Sequence, residues 1–366
     1  MKQGTTFVGL DAHKSQIFVA VLYPGRKDAV EWQLANEAAA VRRMVRKIKR
    51  EAGGGEVRFC YEAGPCGYAL QRQIEACGEG VTCVVVAPSL IPRKPGERIK
   101  TDRRDARKLA EYLRAGVLTE VCPPTEAEEA LRDLVRARDD VREDVMRARH
   151  RLGKLLLRRG FVTHQTSWTQ AHRRWLRNLK FEHASDQAVL DDYLLALEQL
   201  EERLRGMDER LKQVAQQEPY AQPVGRLRCF RGIDTLTALS LVAELHSFMR
   251  FNSPRELMAY LGLVPSEFTS IKQRRGSITK AGNRHVRRLL VEAAWHYRHR
   301  PGLGALRKRR EGQPAAVIAI ADRAQSRLYR RYRHLSEKGL MPGKVVVAIA
   351  RELTGFIWVA MQPLAA

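Results

Sequence analysis

No apolar run in the chain approaches the roughly 20 residues that a bilayer-spanning helix requires, and no secretory leader opens it. These absences exclude a transmembrane helix and predict a cytoplasmic protein with no membrane partner. The six cysteines, at 60, 66, 77, 83, 122 and 229, form no CxxC pairs with histidines to match. That spacing argues against structural zinc and predicts reduced thiols. Acid is the larger deficit: 41 Asp and Glu stand against 65 Lys and Arg, a net charge of +24. A basic surplus spread over the whole length predicts a polyanionic partner, nucleic acid first. At 366 residues the chain is long enough for two or three domains, each with its own core.

Against this deficit, a few carboxylates stand at the ends and starts of elements. In KTDRRDARKLA, residues 100–110, Asp102 and Asp105 lie three apart at a helix start and therefore share a face. An N-cap followed by a first-turn acid would explain this pair equally well. Upstream, Asp11 ends the apolar run FVGLD and Glu62 ends VRFCYE. In a mixed sheet the ends of two central strands can lie side by side, with a later helix crossing over them. Four converging carboxylates are the oxygen donors that Mg2+ takes, and paired ions of this kind clamp a phosphodiester. The surrounding Lys100, Arg103, Arg104, Arg107 and Lys108 suit a site that meets phosphate.

Residues 5–11 and 17–23 read as a β-hairpin, and Pro24-Gly25 then turns the chain. Helices over roughly Asn36 to Glu51 and Tyr68 to Cys77 alternate with the strands VRFCYE and TCVVVAP. The fold class expected for residues 1–122 is therefore α/β, a mixed sheet with flanking helices. Pro123-Pro124 opens residues 123–220, where apolar residues recur at heptad spacing, including Leu131, Leu134, Val141 and Val145, then Leu197, Leu200 and Leu204. This predicts a helical hairpin or coiled-coil arm serving a homo-oligomer, or else a two-helix core within one chain. The joining segment mixes Trp168 and Trp175 with His172 and Arg173, a pattern for base stacking or, more simply, for core. Residues 221–366 are mainly α, with a helix-hairpin-helix-like turn at Gly232, where Asp234 occupies a position that often carries glycine. A basic loop, TSIKQRRGSITKAGN, carries Ser270, Ser277 and Thr279.

Taken together, GLDAHK, YEAGPCGY, KTDRRDARKLA, RGIDTLTALSLVAEL, AYLGLVPSEFTS and ITKAGNRHVRRLLVEAA resemble a bacterial insertion-sequence transposase family. It joins an N-terminal RuvC-like DEDD domain of the RNase H type to a C-terminal domain with a catalytic serine. Relatives include the Piv invertase and recombinases guided by a bridge RNA. The resemblance implies that Asp11, Glu62, Asp102 and Asp105 hold Mg2+ and that Ser270 forms a phosphoserine link to DNA. It also implies target and donor DNA and a non-coding guide RNA as partners, a dimer or tetramer, and a place at the bacterial nucleoid. One departure is Ile271, where the family has glycine after the serine; Ser277 is the lesser nucleophile candidate. Two other functions fit the same residues. One is a RuvC-like nuclease that uses water, and the other is a nucleic-acid scaffold whose acids are caps and surface charges.

Overall fold

Alternating apolar residues produce β1 (Thr6–Ala12) and β2 (Gln16–Leu22), an antiparallel hairpin whose register pairs Gly9 with Ala20 and Asp11 with Phe18. The computed structural model of the chain describes residues 4–92, 101–162, 168–269, 273–304 and 306–363. They divide into two units, Met1–Thr125 and Glu126–Ala366.

In the first unit the hairpin is followed by β3 (Val30–Ala35), α1 (Ala38–Glu51), β4 (Val57–Glu62), α2 (Ala69–Glu75), β5 (Val81–Val86), α3 (Asp102–Ala115) and β6 (Glu120–Val121). The sheet order is β3-β2-β1-β4-β5-β6; β1, β4 and β5 are parallel, and the other pairings are antiparallel. This is the expected mixed sheet, extended by β3, which sequence reading leaves unassigned. α1 buries Val41, Met44, Val45 and Ile48 against Val8, Leu10, Phe59 and Tyr61 on one face of the sheet. Each such fully buried side chain contributes about 1.5–3 kcal/mol. α3 covers the other face with Ala106, Leu109, Ala110 and Leu113.

The second unit begins with α4 (Glu126–Arg158), followed by α5 (Gln170–Asn178) and α6 (Ala184–Val214). Cross-helix ion pairs join Arg138 to Asp208, Arg149 to Glu201 and Arg159 to Asp186, so α4 and α6 run antiparallel. Their heptad seam is filled by this chain itself: Val145, Leu152 and Leu155 meet Leu190 and Leu197, with Trp168 and Trp175 packed beside them. His172 is buried and stacks on Trp175, so these aromatics belong to the packing. Leu131 and Leu134 lie outside that seam, against the core of the remaining helices.

Those helices are α7 (Ala221–Arg228), α8 (Thr235–Leu245), α9 (Pro254–Tyr260), α10 (Arg284–Ala294), α11 (Leu306–Arg310), α12 (Ala315–Glu337) and α13 (Pro342–Ala360). α13 packs on α9, α10 and α12 and is apolar enough to lie in the middle of the core. At the α7–α8 turn, Gly232 has φ +82°, and a Cβ there would lie 2.5 Å from the Ala293 carbonyl oxygen. Asp234 caps α8 by accepting from the Thr237 N–H at 2.8 Å. The basic segment expected as a loop contains β8 (Gln273–Ile278), which pairs antiparallel with β7 (Pro265–Thr269) just before it, with a bulge between Pro265 and Glu267. Cross-strand pairing accounts for the difference: Ser266 Oγ donates to the Ser277 carbonyl at 3.0 Å, which ties the strands beside Gly276. Ser277 is therefore a strand residue, and Thr279 follows β8 with its N–H on the Val264 carbonyl. Among the described residues, no helix is long and apolar enough to cross a membrane.

Candidate metal centre

Strand alternation decides which β1 residues can reach α3. Val8 and Leu10 face α1, so Phe7, Gly9 and Asp11 face α3. In β4, Phe59 and Tyr61 face α1, and Cys60 faces α3, its thiol 3.5 Å from the Leu109 carbonyl. Burial pushes the Cys60 thiol above its ordinary pKa, as befits a packed, protonated side chain. The parallel register pairs Leu10 with Tyr61. Asp11 and Glu62 each come one residue later, so they stand at the carboxyl ends of neighbouring strands on the α3 face.

Gly9 sets the height of α3. A Cβ on Gly9 would lie 2.1 Å from the Ala106 carbonyl oxygen and 2.5 Å from the Ala110 nitrogen, so only glycine lets the helix lie this close to the strand. Thr101 is the N-cap, accepting from the Arg104 N–H; Asp102 is the first residue inside the helix, not its cap. Asp102 shares the stripe of Ala106, Leu109 and Leu113, and Asp105 lies one turn before Leu109, so both carboxylates continue the sheet-facing side. The helix N-terminus favours these negative charges electrostatically.

The structure brings Asp11 and Asp102 together through His13, a residue that sequence reading did not single out. His13 Nε2 lies 3.4 Å from Asp11 Oδ2 and 3.5 Å from Asp102 Oδ2. One donor atom from each of the three lies within 4.8 Å of the others. Side-chain exposure is 22% for Asp11, 48% for Asp102 and 50% for His13, so the cluster opens to solvent. Glu62, on the neighbouring strand, and Asp105, one turn along α3, are not part of that cluster. Ser270 lies outside the described residues, immediately after the last residue of β7.

On its other flank α3 is tied to the sheet edge. Arg103 and Arg107 both donate to Glu31 of β3, whose side chain is 6% exposed. Burial alone would raise the Glu31 carboxyl, but the two arginine hydrogen bonds outweigh it and hold the group below its ordinary range. Two of the basic residues expected to meet phosphate are thus committed within the fold. The spacing of Arg103 and Arg107, four apart on one helix face, signals a shared partner, but nothing local identifies it as Glu31.

Comparison with known proteins identifies the family. A family model described as the transposase IS116/IS110/IS902 family matches residues 225–308, and a DEDD transposase model of the IS110 type matches residues 8–160. The chain is 43% identical over 360 residues to the putative transposase y4qE of Sinorhizobium fredii, an alignment covering 96% of this chain and 87% of the relative. It is 38% identical over 340 residues to the transposase for insertion sequence element IS1533 of Leptospira borgpetersenii, covering 91% and 97%.

Proposed function

Because the chain belongs to the IS116/IS110/IS902 family of transposases and is a DNA transposase with a DEDD-type domain, we propose that Asp11, Glu62, Asp102 and Asp105 hold Mg2+ for cleavage and rejoining of DNA strands. The observation that carries this reading is the convergence of Asp11 and Asp102 at a solvent-open strand end, with Glu62 and Asp105 at neighbouring positions. The donor chemistry fits the ion: carboxylate oxygens at an accessible edge are what Mg2+ takes. When bound, Mg2+ supplies neutralisation of charge at the scissile phosphate. The four carboxylates fix its place, while α3, held on Gly9 and on Glu31, keeps Asp102 and Asp105 over the strand ends.

The nucleophile in this reading is the Ser270 hydroxyl. Its oxygen forms an O–P bond to one strand as the bond to the departing strand oxygen breaks, its proton passes by way of solvent to that departing oxygen, and the phosphodiester energy is conserved for rejoining. Its support is its place after AYLGLVPSEFT, within the segment matched by the transposase model. We assign residues 1–122 to a RuvC-like domain, 123–220 to a helical arm and 221–366 to the serine-bearing domain with a helix-hairpin-helix-like α7–α8 turn. A guide RNA is the partner we assign to the basic surplus of +24. We also assign the arm to assembly into a homo-oligomer.

The test is a Ser270→Ala protein incubated with donor and target DNA, guide RNA and Mg2+, with peptides mapped by mass spectrometry. A nucleotide-bearing peptide containing Ser270 in the parent chain and its loss in the variant are expected. Cleavage that continues unchanged in Ser270→Ala would instead favour a hydrolase that uses water, and an adduct on Ser277 would move the nucleophile.

A further inference from the structure

Resting on the reading of Asp11 and Asp102 as metal ligands, we propose that His13 is a further donor in that centre and shifts its ion preference toward Mn2+ relative to Mg2+. The backbone of His13 is fixed on both sides. Its N–H donates to the Gln16 carbonyl at 2.8 Å, and its own carbonyl accepts from Asn36 Nδ2 at 2.8 Å. Asn36 is itself held, its N–H on the Ser15 carbonyl at 2.9 Å. The imidazole is thus presented from the anchored turn that joins β1 to β2.

Its Nε2 stands almost equidistant from the two carboxylates, at 3.4 and 3.5 Å. Donors sharing one octahedral ion at about 2.1 Å stand roughly 3 Å apart at adjacent positions. A small side-chain adjustment therefore places all three on a common ion. A surface charge partner alone would need neither this equidistance nor an anchored turn, since exposed ion pairs contribute little. Imidazole nitrogen is a borderline donor that Mn2+ accepts more readily than Mg2+, which keeps to oxygen. The all-carboxylate set would hold either ion, and His13 adds the discrimination.

The experiment loads the full chain with Mn2+ and records electron spin echo envelope modulation, which detects an imidazole nitrogen bound to the ion. Competition with Mg2+ is measured on the same samples. The expected result is nitrogen modulation in the parent chain, its loss in His13→Gln while Mn2+ stays bound, and a lower Mn2+ preference in that variant. Mn2+ bound without nitrogen modulation, or with modulation that survives His13→Gln, would overturn the role of His13 and leave the carboxylate centre standing. Binding that is unchanged in Asp11→Asn combined with Asp102→Asn would overturn the centre itself, and His13 with it.

Discussion

Two groups of acids in this molecule are handled in opposite ways. Glu244 on α8 has a fully buried side chain, gripped by Arg136 of α4 at 2.7 and 2.9 Å and by Asn283 Nδ2 at 2.7 Å. Burial would raise its pKa, but those hydrogen bonds outweigh it and hold the carboxyl below its ordinary range. Asp11 and Asp102 are exposed in part and meet at one histidine nitrogen. A guanidinium fork saturates a carboxylate and fixes a fold; a histidine shared between two solvent-reached carboxylates leaves room for an ion. Under the proposed function, where an acid sits in relation to arginine separates structural from chemical use better than the presence of the acid does.

The largest expected contrast lies between these two groups. Asp102→Asn should lower Mg2+-dependent strand cleavage at least about a hundredfold, since loss of even outer-sphere partners of a metal ligand costs about 10–100-fold. Its melting temperature should stay near that of the parent chain, because Asp102 is not the helix cap. Full activity in Asp102→Asn would remove it from the centre. Glu244→Ala should do the reverse in kind, destabilising the fold by about 3 kcal/mol, the lower end for a broken buried pair because Arg136 keeps access to water. Chemical denaturation reads this directly, and a change within error would show that the arginine fork adds no net stability.

Gly9→Ala tests whether the open site depends on close helix packing. The added methyl meets the α3 backbone, so a stability loss of about 1–3 kcal/mol is expected. Cleavage should fall as well, because α3 must shift; an alanine variant with unaltered cleavage would show that carboxylate spacing is not set here.

Acid titration separates two smaller contributions in the second unit. Burial lowers the pKa of His285, with Glu244 and Asp139 opposing the shift and Arg288 and Arg136 adding to it. Its folded pKa lies below the unfolded value of about 6.5. The stability linked to neutral His285 is present above that pH and is lost as pH falls through the folded value. Glu244, also depressed in the folded state, contributes above about 4.3, and that contribution is lost below it. Thermal melts from pH 8 to 3 should show both losses; Glu244→Gln should shrink the lower one, which Glu31, Asp139 and Glu201 share, and enlarge the upper one, because Glu244 opposes the His285 shift. The smallest effect belongs to Glu31→Gln: about 1 kcal/mol in a melt, since both arginines stay partly solvated.

Much of the first unit is legible in the residues themselves. Alternation in FVGLD and VRFCYE places Asp11 and Glu62 on strand ends, and a helix-period stripe from Asp102 to Leu113 places the other acids over a sheet. β3 carries a readable alternation of Val30, Trp32 and Leu34, but polar neighbours and its edge position dilute it. Glu31 and His13 are not legible, because their partners lie far away in sequence or depend on the shape of one turn. In the second unit the heptads predict helices correctly and leave their partner open, since an intramolecular seam and an oligomer seam have the same period. The β7–β8 hairpin is hidden by its basic composition, because backbone pairing, rather than an apolar face, joins those strands.

At Gly9, main chain rests on main chain. Side chains exchange rotamers and accept substitution, so a gap set by them drifts as the residues around it change. A gap set by two backbones has no such freedom; it acts as a fixed gauge between β1 and α3. That contact runs from Gly9 to the backbone of Ala106 and Ala110, so it does not depend on which rotamer Phe7 adopts beside it. The glycine in FVGLD thereby ties the spacing of the acids at the sheet edge to main chain and not to the rotamers of the core.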